Sequence, residues 1–275
     1  MRTKWLSRAL IAPTAVFALA ITVLPLGYSV LTSFHQFRLG KPPLFVGLQN
    51  YRSLLQDSNF HSSLATTVIY TIAATGVEFV LGMALALLLK EEFRFQGFIR
   101  SSLIVPMVIA PVVVGIIWRL LYNSDIGLFR FGSVLSSTTW ALPALILVDI
   151  WEWTPFMFLI LLAGIQSLPQ EPFEAARVDG ASPWNVFVHL TLPMLRPVIV
   201  VAILIRALDA FTVFDQVFVL TQGGPGTATE VATLMIYKTA FRFSQYGYGA
   251  AMALSLLVLV MCFSAAVTRV FKGSV

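Results

Sequence analysis

The stretch "EPFEAARVDGASPWNVFVHLTLP", Glu171 to Pro193, lies between two long apolar runs and is itself polar. Pro172 suits the first turn of a helix, and Gly180 suits the left-handed residue that closes one. Ser182 and Pro183 then read as the N-cap and first residue of a second helix. Trp184, Phe187 and Val188 form an apolar stripe at i, i+3, i+4 on that helix. Pro193 is expected to end it, and Pro197 to begin the next apolar segment. Two short helices joined at a glycine bend thus carry exposed apolar surface, which calls for a partner unless it folds back onto lipid.

What lies on either side decides the fold class. Of the 275 residues, 58% are hydrophobic and only 11% charged, with a mean hydropathy of +0.85, against roughly 25% charged in a soluble domain. Crossing ~30 Å of hydrocarbon takes about 20 apolar residues in a helix. Runs of that length recur at Leu10 to Phe34, Leu64 to Leu89, Ser101 to Tyr122, Trp140 to Ile165, Pro197 to Leu220 and Tyr246 to Thr268. Stretches such as "LGMALALLL" and "LSLLVLVMCF" are apolar all round, whereas barrel strands alternate. The sequence therefore reads as an all-α membrane protein with six transmembrane helices in one domain, residues 1–275. The basic start, "MRTKWLSR", precedes an apolar run too long for a signal peptide and lacks an A-x-A site, so it reads as a retained first helix.

Lys and Arg set the orientation. Arg2, Lys4, Arg8, Lys90, Arg94, Arg100, Arg177, Arg196, Arg269 and Lys272 fall on the side of the termini. Arg38, Lys41, Arg52, Arg130, Lys238 and Arg242 fall on the other. Ten against six places both termini, and the Glu171–Pro193 stretch, in the cytoplasm. Juxtamembrane anchoring beside anionic lipid accounts for the net charge of +5 without a nucleic-acid partner. Cys262, the single cysteine, lies in the last helix and has no internal partner.

Two further polar pieces punctuate the chain. "QFRLGKPPLFVGLQNYRSLLQDSNF" carries Leu48, Tyr51, Leu54 and Leu55 at helical spacing and reads as a short helix in the outer interface. "TQGGPGTATE", Thr221 to Glu230, is turn-rich and stops the fifth helix. It lacks the Lys of a phosphate-binding G-x-x-x-x-G-K-[ST] loop, so the chain is expected to hydrolyse no ATP itself. His35, His61 and His189 lack metal-ligand spacing and read as interfacial polar residues.

Ionisable groups inside the helices are costly and therefore informative. They are Glu78 in the second helix, Asp149 and Glu152 in the fourth, and Arg206, Asp209 and Asp215 in the fifth. Asp149 with Glu152, and Arg206 with Asp209, share helix faces at i, i+3. Two readings stand side by side: interhelical pairing of Arg206 with Asp149 or Glu152, and a polar solute path. In "DIWEW", Trp151 and Trp153 beside carboxylates suit a sugar, whose C–H face stacks on indole. Either Trp alone also serves as a membrane anchor.

The order Glu174-Ala175-Ala176, then Gly180, then Leu190, then Leu192-Pro193 resembles the EAA loop of ABC importer permease subunits. Leu190 stands where Ile is usual, and Asp179 completes the common form "EAARVDGA". "FVGLQNYRSLL", "VEFVLGMALALLL", "RALDAFTVFDQVFVLTQGGPGTATE" and "IYKTAF" are similar to the carbohydrate-importing, maltose-type branch. The resemblance implies a type I ABC importer permease fold with a cytoplasmic EAA coupling loop at about 167–195. It implies half of a pathway for a sugar, a di- or oligosaccharide, delivered by an extracytoplasmic solute-binding protein. It implies a second permease subunit and two ATP-binding subunits that use ATP and Mg, this chain binding no cofactor. Glu174 would contact the ATPase, Gly180 would set the bend, and Trp184, Phe187 and Val188 would fill its groove. Trp151, Glu152, Trp153, Asp209 and Asp215 are the candidates for solute contact, with Asp149 and Arg206 beside them. The alternatives are glycerol 3-phosphate or glycerophosphodiester as solute, or a proton-coupled secondary carrier, which leaves the EAA loop unexplained.

Overall fold

The computed structural model describes residues 2–91, 94–127 and 134–272. In chain order the elements are α1 (Arg2–Ser33), β1 (His35–Gln36), β2 (Leu44–Phe45), α2 (Gln49–Leu55), α3 (Ser58–Leu88), α4 (Gln96–Val108), α5 (Pro111–Leu121), α6 (Ala141–Gln166), α7 (Glu171–Val178), α8 (Pro183–Val186), α9 (Leu192–Phe211), α10 (Asp215–Leu220), α11 (Ala232–Tyr237) and α12 (Tyr246–Lys272). Among the described residues five helical stretches are long and apolar enough to cross a membrane, six if the bent pair α4–α5 is counted as one broken span. Arg130, counted above on the outer side, lies outside the described residues, as do the side chains of Arg2, Lys4, Arg8 and Lys272.

Three expectations about the spans need correction. The third span is not one straight helix: α4 and α5 meet at 96°. Ile109 and Ala110 are extended there, and Pro111 opens α5, because a residue before proline is pushed out of the helical region. The fifth span does not run unbroken to Leu220, since α9 ends at Phe211 and α10 begins after Phe214. Nor does Pro193 end the second short helix. A π-helical turn, Phe187–Thr191, joins α8 directly to α9, and Pro193, whose missing N–H removes one bond from that continuous run, follows just after the π-turn.

The chain forms two compact units. One comprises the segment through His61 with Met235–Leu259. In it α1 is apolar over Ala12–Ser33 and, Ser33 apart, has no buried residue in that stretch, as suits a helix whose solvent is lipid. Asn50 Nδ2 donates to the Ser33 and His35 carbonyls at 2.7 and 3.1 Å, and Tyr248 donates to Asp57 at 2.7 Å. The expected interfacial helix is α2: Leu54 is buried while Leu48 and Leu55 are exposed.

The second unit comprises Ser62–Leu234 with the segment from Val260. Its core joins α3, α6 and α9 through Met83, Ala86, Met157, Phe158, Leu161, Leu195 and Ala202. Gly82 sets the α3–α6 separation: a Cβ there would stand 2.8 Å from Met157 Cγ and 2.9 Å from the Phe158 nitrogen. Small residues at helix crossings let backbones approach where no hydrophobic drive separates protein from lipid.

Candidate functional site

Two places in the second unit gather the residues singled out above. The first is the polar loop. α7 ends in a Schellman motif: the Gly180 N–H donates to the Arg177 carbonyl at 3.2 Å and the Ala181 N–H to the Ala176 carbonyl at 2.9 Å. Gly180 has φ +70°, a conformation that side-chain-bearing residues rarely adopt. Ser182 then caps α8, its Oγ accepting the Asn185 N–H at 3.3 Å, with Pro183 as first helical residue. The glycine bend and serine cap are as the sequence indicates.

Exposure divides this loop. Glu174, Ala175 and Asp179 are exposed, Ala176 is half-buried, and Trp184 is 70% exposed. Phe187, Val188 and Leu190 are half-buried. Phe187 packs on the α3–α6–α9 core while its ring stands 5.7 Å from that of Trp184. The stripe is therefore an outward indole backed by an inward phenyl. Pro193 is exposed in the first turn of α9.

The second place is a buried ionic cluster. Arg206 of α9 is 1% exposed and is met by three carboxyl groups from three helices. Its Nη2 donates to Glu78 Oε1 at 3.0 Å, and its Nε lies 2.7 Å from Glu78 Oε2. Nη2 also pairs with Asp149 Oδ2, and Nη1 donates to Asp209 Oδ2 at 3.0 Å. This forked pattern uses the planar geometry that distinguishes arginine from lysine. Glu152 does not pair with Arg206: its Oε2 accepts from Gln216 Nε2 of α10, and Tyr70 donates to Gln216 Oε1 at 3.2 Å. The pairing reading thus holds for Asp149, fails for Glu152, and gains Glu78.

Around this cluster the two tryptophans part company. Trp153 lies against the guanidinium, 5.3 Å from Arg206 Cζ to its ring centre, within the range of a cation–π contact. Trp151, two residues earlier and so across the helix, is 38% exposed and sits edge-on to Trp118 of α5 at 5.6 Å. Glu78, Asp149 and Glu152 are buried, whereas the Asp209 side chain is 54% exposed. Asp215 is exposed in the first turn of α10. Asp209, Trp153 and Arg206 are brought together; Trp151 and Asp215 are not among the Arg206 partners. Glu78 was legible only as an intramembrane carboxylate, while Tyr70 and Gln216, neutral in long apolar runs, carried no signal.

Residues 78–273 match the family described as "binding-protein-dependent transport system inner membrane component", and the chain belongs to that family. It is 39% identical over 274 residues to a probable ABC transporter permease protein, y4oQ, of Sinorhizobium fredii, covering 95% of this chain and 89% of the relative. It is 36% identical over 275 residues to the trehalose/maltose transport system permease protein MalF of Thermococcus litoralis, covering 96% and 92%. In fold it is similar to a chain of a bacterial ABC transporter involved in the import of the acidic polysaccharide alginate, with TM-score 0.86, 21% identity and coverage of 99% and 97%.

Proposed function

We propose that this chain is one of two permease subunits of an ATP-driven importer and forms half of the membrane pathway for a di- or oligosaccharide. An extracytoplasmic binding protein delivers the sugar, and two ATP-binding subunits in the cytoplasm hydrolyse ATP with Mg. Both termini and the 167–195 loop face those ATPases. Family membership and the trehalose/maltose relative support this reading. The observation that carries the coupling role is the loop's construction: α7 and α8 meet at Gly180, present Glu174, Asp179 and Trp184 outward, and run without a break through the π-turn into α9.

In this mechanism ATP-driven closure of the two ATPases moves the loops toward each other, and α9 carries that displacement into the membrane. Glu174 makes a charge-assisted contact to the ATPase. Trp184 enters its groove while Phe187 ties the loop to the permease core. Uptake and ATP hydrolysis measured together in proteoliposomes test the assignment. Glu174→Lys and Gly180→Pro should insert normally and lower sugar-stimulated uptake at least tenfold per ATP hydrolysed, about 1.4 kcal/mol of coupling. Normal coupling in both variants would sink the role given to the loop, and uptake by the permeases without any ATPase would favour a secondary carrier.

A further inference from the structure

The cluster holds more carboxyl groups than cations. Glu78, Asp149 and Asp209 surround a single guanidinium, and Glu152 next to them is held by a neutral amide. Arg206 is 1% exposed; its Nη1 and Nη2 donate to these carboxyl groups and its Nε lies 2.7 Å from Glu78 Oε2. It has no free face for an incoming anion. Asp209 is the member of the cluster that emerges, its side chain 54% exposed on the last turn of a membrane-spanning helix. A carboxylate facing hydrocarbon is costly, so an exposed one in a membrane-spanning helix favours a polar path beside it. Six residues on, Asp215 is exposed too. The arginine that touches this stretch, Arg119, gives its Nη1 to the Val219 carbonyl at 3.2 Å, toward the far end of α10.

We infer that Asp209, fixed by Arg206 and backed by Glu78, Asp149 and Glu152, is a specificity-determining residue that admits uncharged, hydroxyl-rich solutes and turns back anionic ones. The inference rests on the saccharide-permease reading and adds the charge class of the solute. A carboxylate held by a buried guanidinium is pre-organised to accept hydrogen bonds from sugar hydroxyls. The half-buried indole of Trp153, against the same guanidinium, adds an aromatic wall. A uronate or a phosphorylated sugar meets like charge instead, in a setting where water screens it poorly, and such a repulsive element discriminates between partners. The same fold can carry the opposite preference, since a chain of an alginate importer shares it at 21% identity.

The test uses the complete importer, this chain with its partner permease and ATPases, in nanodiscs without the binding protein, so that the permease's own preference is read. Calorimetry with maltose and with digalacturonate supplies a neutral and an acidic disaccharide of similar size. Maltose should bind at least about tenfold more tightly, and the gap should collapse in Asp209→Asn and persist in Asp209→Glu. Equal affinities in the unaltered complex, binding of neither probe, or an undiminished gap in Asp209→Asn each overturn the inference. Should Asp209→Asn fail to assemble, salt decides on the unaltered complex. A gap that narrows as ionic strength rises supports the charge filter, and a gap indifferent to salt refutes it. The broader reading fails separately, by absence of ATP-driven uptake of any saccharide.

Discussion

At the residue scale, Arg206 has the most at stake. Its guanidinium compensates carboxyl groups delivered by α3 and α6, Glu78 at 0% and Asp149 at 2% exposure. Removing one partner of a buried pair leaves an uncompensated charge and costs about 3–5 kcal/mol, while replacing the whole set by apolar groups can be nearly neutral. Arg206→Met should therefore lower the thermal unfolding midpoint and membrane yield sharply. The triple variant Arg206→Met, Glu78→Met, Asp149→Leu should regain most of the loss, and a triple variant as unstable as the single one would contradict this account. The sequence revealed that these ionisable groups lie in apolar helices and that Arg206 and Asp209 share a face. It did not reveal which carboxylate meets the arginine, because Glu78 lies 128 positions away and only packing brings it near. Glu152, three residues from Asp149, is an equal candidate by spacing, and Gln216 holds it instead.

At the element scale, the spans were legible from length and hydropathy, and their interruptions were not. An apolar-all-round run has no periodicity to lose, so the 96° turn between α4 and α5 leaves its trace only in Pro111, and the gap between α9 and α10 leaves none. Loops were read more faithfully than spans, since Gly180, Ser182 and Pro183 act through local chemistry that spacing encodes. The α3–α6 crossing gives a sharp prediction. Gly82→Ala places a methyl carbon 2.9 Å from a backbone nitrogen, an obstruction that no rotamer change relieves. The helices must part, and overpacking of this kind costs about 1–3 kcal/mol. Thermal stability of the purified complex should fall accordingly, and an unchanged midpoint would mean that the crossing gives way elsewhere at no cost.

At the scale of the whole molecule, six spans would put both termini on one side, and the distribution of Lys and Arg is the ground for proposing that this side is the cytoplasm. Replacing Cys262, the single cysteine, by serine gives a background for one introduced thiol at a time. A cysteine at Ser182 should react with a membrane-impermeant maleimide in inverted vesicles alone, and one at Gly40 in right-side-out vesicles alone. The reverse pattern would invert the assignment of every loop.

One feature of that topology has a mechanical meaning. From Pro183 the backbone stays helical through the π-turn to Phe211, so Asn185 and Arg206 sit on one rod roughly 30 Å apart at the usual helical rise. Pro193, Pro197 and the π-turn are the points along it where such a helix bends. Under the coupling role proposed above, a displacement of Trp184 reaches Arg206, and with it Asp209, through this one helix.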